Sequence, residues 1–132
     1  MAQESCRDLP NSGTQGFGHA QYGTAAIINA AETALIQGVD LFASEQKRLV
    51  TMAEFHAKYM NGASTSALCH TQIAAVSPDP MWEIALNEFA SVLPGLSVAQ
   101  TKTMVLNHRP SGATHHMVWE TLSHGDIGTS GL

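Results

Sequence analysis

The spacing of the apolar residues limits, more than any other feature, the folds open to this chain. Ala26, Ala30 and Ala34, together with Ile27 and Ala31, recur at intervals of three or four residues, as on one side of an α-helix. No stretch of useful length alternates apolar and polar residues in the way that a half-buried strand does. The pattern therefore predicts an all-α fold.

Two of about four predicted helices lie in the first half of the chain. The first covers about residues 19–37, and Gly38 is placed to end it in the left-handed conformation. The second begins at Leu41 or Ser44, and Asn61-Gly62 ends it. Its apolar side is expected to consist of Leu49, Met52, Ala53, His56, Tyr59 and Met60.

Two further helices are predicted after a loop at residues 62–77. Asp79-Pro80 is a favourable helix start, with Asp as the cap and Pro in the first turn, and Pro94-Gly95 ends this helix. Its inward side chains are expected to be Trp82, Ala85, Phe89 and Val92. Ser97 and Gln100 form a capping-box pattern for the fourth helix, which ends near Asn107.

The 132 residues fit a single domain, without an internal repeat or a shift in composition that would divide them. Residues 1–18 are polar and rich in Gly, Ser, Asn and Pro, so they are expected to form an N-terminal loop. Residues 109–132 are rich in Gly, Ser, Thr and His and are expected to form an irregular C-terminal segment.

The charge balance disfavours nucleic acid as a partner. Six Lys and Arg residues face eleven Asp and Glu residues, which gives a net charge of -5, and the cations form no polybasic run. No segment approaches the roughly 18 apolar residues needed to cross a bilayer, so no membrane partner is expected. Residues 1–13 contain no apolar core of a secretory signal; if the natural protein is exported, the signal lies outside this chain. The localisation stays open.

Metal and redox chemistry have weak support in the sequence. The seven histidines include no HExxH motif, and the adjacent pairs Cys69-His70 and His115-His116 are poorly spaced to ligate one ion. No metal and no cofactor is therefore expected. Cys6 and Cys69 are equally compatible with a disulfide and with two free thiols.

A series of short motifs occurs in a characteristic order. The segments are QESCRD, QGFGHAQYG, AAETALIQGVDLF, RLVTMAEFHAKYMNG, WEIALNEF, RPSG and TLSHGD, from Gln3 to Asp126. This order resembles the alginate lyase-like family of polysaccharide lyases, in particular the C-terminal part of its catalytic domain. The resemblance implies that the four helices belong to an α/α toroid, and that the partner is an anionic polysaccharide of alginate or glucuronan type.

The resemblance also implies an activity, the cleavage of a uronic-acid polymer by β-elimination. In this reaction a base removes the proton next to the carboxylate, a cation stabilises the charge that develops, and an acid protonates the leaving oxygen. His19, Arg7 and Tyr59 are the catalytic candidates, with Arg7 neutralising the carboxylate. The candidates for substrate contact are Tyr22, Arg48, Gln21 and His124.

Each candidate also has a purely structural interpretation. His19 would cap its helix or bond a backbone carbonyl, Tyr59 would be a core aromatic with its hydroxyl at the rim, and Arg48 would be a solvated or ion-paired helix residue. His56 is expected to be a core histidine, and Trp82, Phe89 and Met52 are expected in the core rather than in a sugar-stacking platform. The rival hypothesis is a non-enzymatic helical module, whose exposed helix faces would favour self-association or a partner chain.

Overall fold

The computed structural model describes residues 13–64, 77–89, 94–110 and 120–124, and these residues form six helices and no strand. The predicted all-α fold is confirmed. The helices are α1 Gly13–Ile36, α2 Leu41–Ser44, α3 Gln46–Met60, α4 Met81–Glu88, α5 Ala99–Asn107 and α6 Glu120–His124.

Helix α1 begins at Gly13, so residues 13–18 belong to a helix and not to the predicted loop. Extending an existing helix requires far less free energy than starting one. The buried side of α1 supplies this stability through packing, which overrides the poor helix propensity of the glycines. Over residues 18–36 of α1, the buried positions are Gln21, Thr24, Ala25, Ile28 and Ala31.

Glycine ends both long helices, as predicted. Gly38 has φ +87° and Gly62 has φ +89°, values that favour glycine over any other residue. At the end of α1, the Gly38 N–H donates to Leu35 and the Val39 N–H donates to Ala34. This pair of bonds is the Schellman motif, and the same pair recurs around Gly62.

The predicted second helix is divided into α2 and α3 at Glu45, which has φ -110° and ψ 15°. The Asp40 side chain caps α2 by accepting a 2.8 Å hydrogen bond from the Ala43 N–H. Because α2 contains one turn only, α1 and α3 follow one another closely along the chain and pack on the same core.

Helix α4 is the most deeply buried element, since each residue from Met81 to Leu86 is buried. It contacts α1, α5 and α6. Trp82 and Phe89 are fully buried, and His56 is buried with its Nδ1 2.9 Å from the Met52 carbonyl oxygen. The predicted core positions of these three side chains are confirmed.

The start of α5 is stabilised by the predicted Ser97, whose hydroxyl accepts a 3.3 Å hydrogen bond from the Ala99 N–H, and by a distant residue; the Gln100 side chain accepts from Asn61 instead of completing a capping box. The Glu54 carboxylate of α3 accepts hydrogen bonds from the N–H groups of Gln100 and Thr101, at 3.1 and 2.8 Å, and from the Thr101 hydroxyl. A carboxylate at this position satisfies the free amides and complements the helix dipole. The contact also joins α5 to α3.

The C-terminal segment is partly helical, because α6 lies within the region predicted to be irregular. A buried ion pair connects this region to α4. Glu83, whose side chain is fully buried, accepts two 2.8 Å bonds from the Arg109 guanidinium and a 3.1 Å bond from the Thr121 hydroxyl. The carboxylate is thus satisfied from two separate parts of the chain.

Candidate functional site

Trp82 brings the two candidate-bearing helices together. Its indole Nε1 donates a 2.9 Å hydrogen bond to Gln21 on α1, and its ring centroid is 6.1 Å from that of His56 on α3. Gln21 in the N-terminal half of α1 and His56 in the C-terminal half of α3 therefore both contact the same residue of α4.

His19 and Tyr22 form a pair on the outer face of α1. Their ring centroids are 6.1 Å apart at an interplanar angle of 58°, and both side chains are exposed. His19 lies within α1, well after its first residue Gly13, so it does not occupy a capping position. The arrangement presents an imidazole and a phenol side by side to solvent, which are two groups suited to proton transfer.

Gln21 points in the opposite direction, so the structure does not bring it together with the other candidates for substrate contact. The side chain is only 2% exposed. Its Oε1 accepts hydrogen bonds from Trp82 Nε1 and from the Asp79 N–H at 3.1 Å, and its Nε2 donates to the Ser77 carbonyl at 3.2 Å. Gln21 therefore joins α1 to the start of α4, because helical geometry turns this position inward while its neighbours face outward.

Arg48 and Tyr59 lie on the same helix but in different surroundings. Arg48 has 84% of its side chain exposed and forms a 2.9 Å ion pair with Glu45, as the structural interpretation predicted. Tyr59 is partly buried, and its ring centroid is 5.1 Å from that of Phe55. The Lys58 ammonium lies 5.5 Å from the centre of the Tyr59 ring. Eleven residues of helix separate the Cα atoms of Arg48 and Tyr59 by about 16 Å.

The exposed side of α3 carries positive charge and one large aromatic ring. We call this surface the α3 outer stripe; its members are Lys47, Arg48, Thr51, Phe55 and Lys58. Half of the six cationic residues of the chain lie on it, although the chain is acidic as a whole. A local concentration of cations on an acidic protein selects the place where an anion binds.

Two grooves border the α3 outer stripe. One has a volume of about 630 Å³ and is lined by Lys47, Arg48, Thr51, Met52, Phe55 and His56. The other has a volume of about 410 Å³ and lies between α3 and the turn before α5, with Glu54, Lys58, Leu96 and Gln100 in its lining. Thr51 and Phe55 line both grooves.

Phe55 was not among the residues predicted for the site. The sequence does contain an indication of its position. Phe55 is not one of the regularly spaced apolar residues of α3, and the residues one helical turn before and after it are the polar Thr51 and Lys58. The structure leaves 47% of Phe55 exposed. An aromatic residue on the polar side of an amphipathic helix is a feature that core packing does not require.

The structure does not bring His124 beside His19, although it was predicted to close over the site. It belongs to α6, and its Nε2 lies 3.6 Å from Glu32 Oε1. Glu32 follows His19 on α1 by thirteen residues, which corresponds to about 20 Å of helical rise. The short helix α6 packs against α4 and places His124 at the C-terminal half of α1.

The surroundings of His124 are acidic. Burial raises the pKa of Glu88, the neighbouring Glu32 carboxylate raises it further, His124 lowers it, and Asp40 adds a smaller upward effect. These carboxylates disfavour a second anion in their vicinity. This region is therefore a poor candidate for binding a polyanion.

The other candidates lie outside the described residues. They are Arg7, both cysteines, and the histidines at positions 70, 115 and 116. Within the described parts of the chain, no three His, Cys, Asp or Glu side chains converge in a way suited to a metal ion. Over the same residues, none of the helices combines the length and hydropathy needed to cross a bilayer.

Comparison with known proteins adds no relative to this description. No family model, no curated protein and no solved structure matches the chain.

Proposed function

We propose that this chain is a polysaccharide lyase-like protein that binds a uronic-acid polymer and cleaves it by β-elimination, in a domain related to the α/α toroids. The observation that carries the proposal is the α3 outer stripe, a cationic and aromatic surface on an acidic protein. A polymer with one carboxylate on every sugar complements such a surface in charge.

The proposed proton-transfer groups are His19 and Tyr22, whose rings lie side by side on the outer face of α1, and Tyr59 of α3. In the proposed reaction one of these groups removes the proton from the carbon next to the carboxylate. The electron pair of that bond forms a double bond with the neighbouring carbon, and the glycosidic oxygen leaves with a proton from a second group.

Arg7 is the proposed partner for the substrate carboxylate, on the strength of the motif QESCRD alone. A cation in contact with the carboxylate would stabilise the enolate-like charge of the transition state, which is the main barrier for such a weak carbon acid.

The test is to incubate the folded chain with alginate and with polyglucuronate and to follow the ultraviolet absorbance of the unsaturated product. We expect activity that is lost in His19→Ala and kept in His108→Ala, a matched removal of another exposed histidine, at the end of α5. A folded chain that releases no product from any uronic-acid polymer contradicts the proposal.

A second candidate function is supported by the outer face of α1. Ile27 is 47% exposed, and the small residues Ala26 and Ala30 are exposed beside it. An exposed apolar surface of this kind is typical of one that packs against another helix. The chain would then be a non-catalytic module that self-associates or binds a partner, and Ala30→Glu would abolish the association in sedimentation velocity.

A further inference from the structure

We infer that Phe55 is a stacking platform for one sugar ring of an anionic polysaccharide, with the cations of the α3 outer stripe holding the carboxylates of the neighbouring sugars. This inference rests on the proposed function for the identity of the polymer. It concerns binding and not cleavage, so the two can fail separately.

The Phe55 ring is held in place before any ligand arrives. Its centroid is 5.1 Å from that of Tyr59 at 69° and 5.9 Å from that of His56 at 83°, so both neighbours meet it edge to face. Edge-to-face contacts are the preferred geometry of aromatic pairs. A ring whose orientation is already fixed loses little conformational freedom on binding, which favours affinity.

The position of Phe55 between the two grooves suits a chain and not a single small molecule. Because Phe55 lines both grooves, a polymer crossing the stripe at this residue has one sugar over the ring and neighbouring sugars on either side. The cationic side chains are also spread along the length of α3. Lys47 and Lys58 are eleven residues apart, about 16 Å along the axis, which exceeds the size of one sugar ring.

Arg48 is paired with Glu45, so the charge that the stripe offers to a ligand is mainly that of Lys47 and Lys58. Glu54 lies in the groove beside Lys58, but its oxygens accept hydrogen bonds from the amides that begin α5. An exposed aromatic ring can stack on the apolar face of a sugar, and a few separated cations can pair with the single carboxylate that each sugar of a polyuronate carries. Nucleic acid has a denser charge and is held by more extensive basic surfaces.

The test is a titration of the full chain with polyglucuronate and with polymannuronate in an isothermal calorimeter, at low ionic strength. The matched variants are Phe55→Ala and Leu106→Ala, since the two side chains are 47% and 41% exposed and lie on different helices. We expect Phe55→Ala to weaken binding about tenfold. Phe55→Tyr should retain binding, Lys58→Gln should weaken it, and Leu106→Ala should leave it unchanged.

Each outcome separates the inference from the proposed function. Binding that depends on Phe55 without release of product supports the inference and contradicts the lyase. Product release that is insensitive to Phe55→Ala supports the lyase and overturns the inference. Equal, Phe55-dependent binding of polyglutamate shows that the surface takes any polyanion, and absence of binding by the folded chain shows that it takes none; either result overturns the inference.

Discussion

The ion pair between Glu83 and Arg109 gives the sharpest prediction about stability. The Glu83 side chain has no solvent exposure, the Arg109 side chain has 20%, and two 2.8 Å bonds join them. In Arg109→Ala the carboxylate stays buried and loses both bonds, with only the Thr121 hydroxyl left to donate to it. The variant should therefore be strongly destabilised.

Removal of one partner from a buried ion pair costs about 3–5 kcal/mol. Because one fifth of the Arg109 side chain is exposed, water can reach the site once the guanidinium is gone, so we expect the lower end, about 3 kcal/mol. For a chain of this size each kcal/mol lowers Tm by about 4 °C, so Tm should fall by about 12 °C.

The assay is urea unfolding of parent and variant, followed by tryptophan fluorescence and by far-ultraviolet circular dichroism. Arg48→Ala is the matched control, since its ion pair with Glu45 is equally short but 84% of the Arg48 side chain is exposed. That control should lose no more than about 1 kcal/mol. The double variant Glu83→Leu, Arg109→Met should recover most of the stability, because it removes both charges together. An Arg109→Ala variant within about 1 kcal/mol of the parent would refute the reasoning.

Three further predictions concern single side chains. Gln21→Ala leaves the Trp82 indole N–H without its acceptor in the core and should lower the unfolding free energy in urea by about 2–4 kcal/mol; a loss below about 1 kcal/mol would contradict the role given to Gln21. Gly38→Ala should destabilise the protein by about 1 kcal/mol, because Gly38 has a φ of +87° that alanine adopts only with strain. Gly23→Ala should stabilise it by about 0.5–1 kcal/mol, because Gly23 lies within α1 with open space around it. If both variants shift Tm in the same direction, backbone conformation does not explain the role of these glycines. The pKa of Glu88 is raised in the folded state, so its contribution to stability is present below the ordinary Glu pKa of about 4.3 and is lost as the pH rises. Glu88→Gln should therefore become more stable relative to the parent as the pH rises. A difference in unfolding free energy between the two that stays the same at every pH, measured by urea unfolding, would oppose this.

The features that the sequence predicted correctly depend on local interactions. Gly38 and Gly62 end their helices through bonds that span no more than five residues, so a glycine after a periodic segment is sufficient to identify them. The start of α5 just after Ser97 was also predicted correctly, and the Ser97 hydroxyl accepts a hydrogen bond from the Ala99 N–H. The contact from Glu54 was not predicted, because Glu54 is 46 and 47 positions away from the amides it binds. A contact of that length depends on how α3 packs against α5 and leaves no signal in the sequence around Ser97.

The errors in the candidate site have a different cause, which is the rotation of each helix about its axis. Periodicity shows that α1 and α3 each have an apolar and a polar side. It does not show which of their residues face α4, because that depends on how the helices pack together. Gln21 turned out to face Trp82, and Phe55 turned out to face solvent. One polar residue that the sequence offered for substrate contact is therefore buried, and one apolar residue that it did not offer is exposed.

The distribution of charge in the fold gives the two ends of α3 different properties. Glu32, Asp40 and Glu88 surround the end where α1 stops and α3 begins, and Arg48 at that end is already paired with Glu45. The opposite end of α3 carries Lys58 and Tyr59. Because carboxylates repel an anionic chain within a Debye length of about 8–10 Å, we expect the proposed polyuronate to be held more strongly at the Lys58 end of the α3 outer stripe than at the Lys47 end.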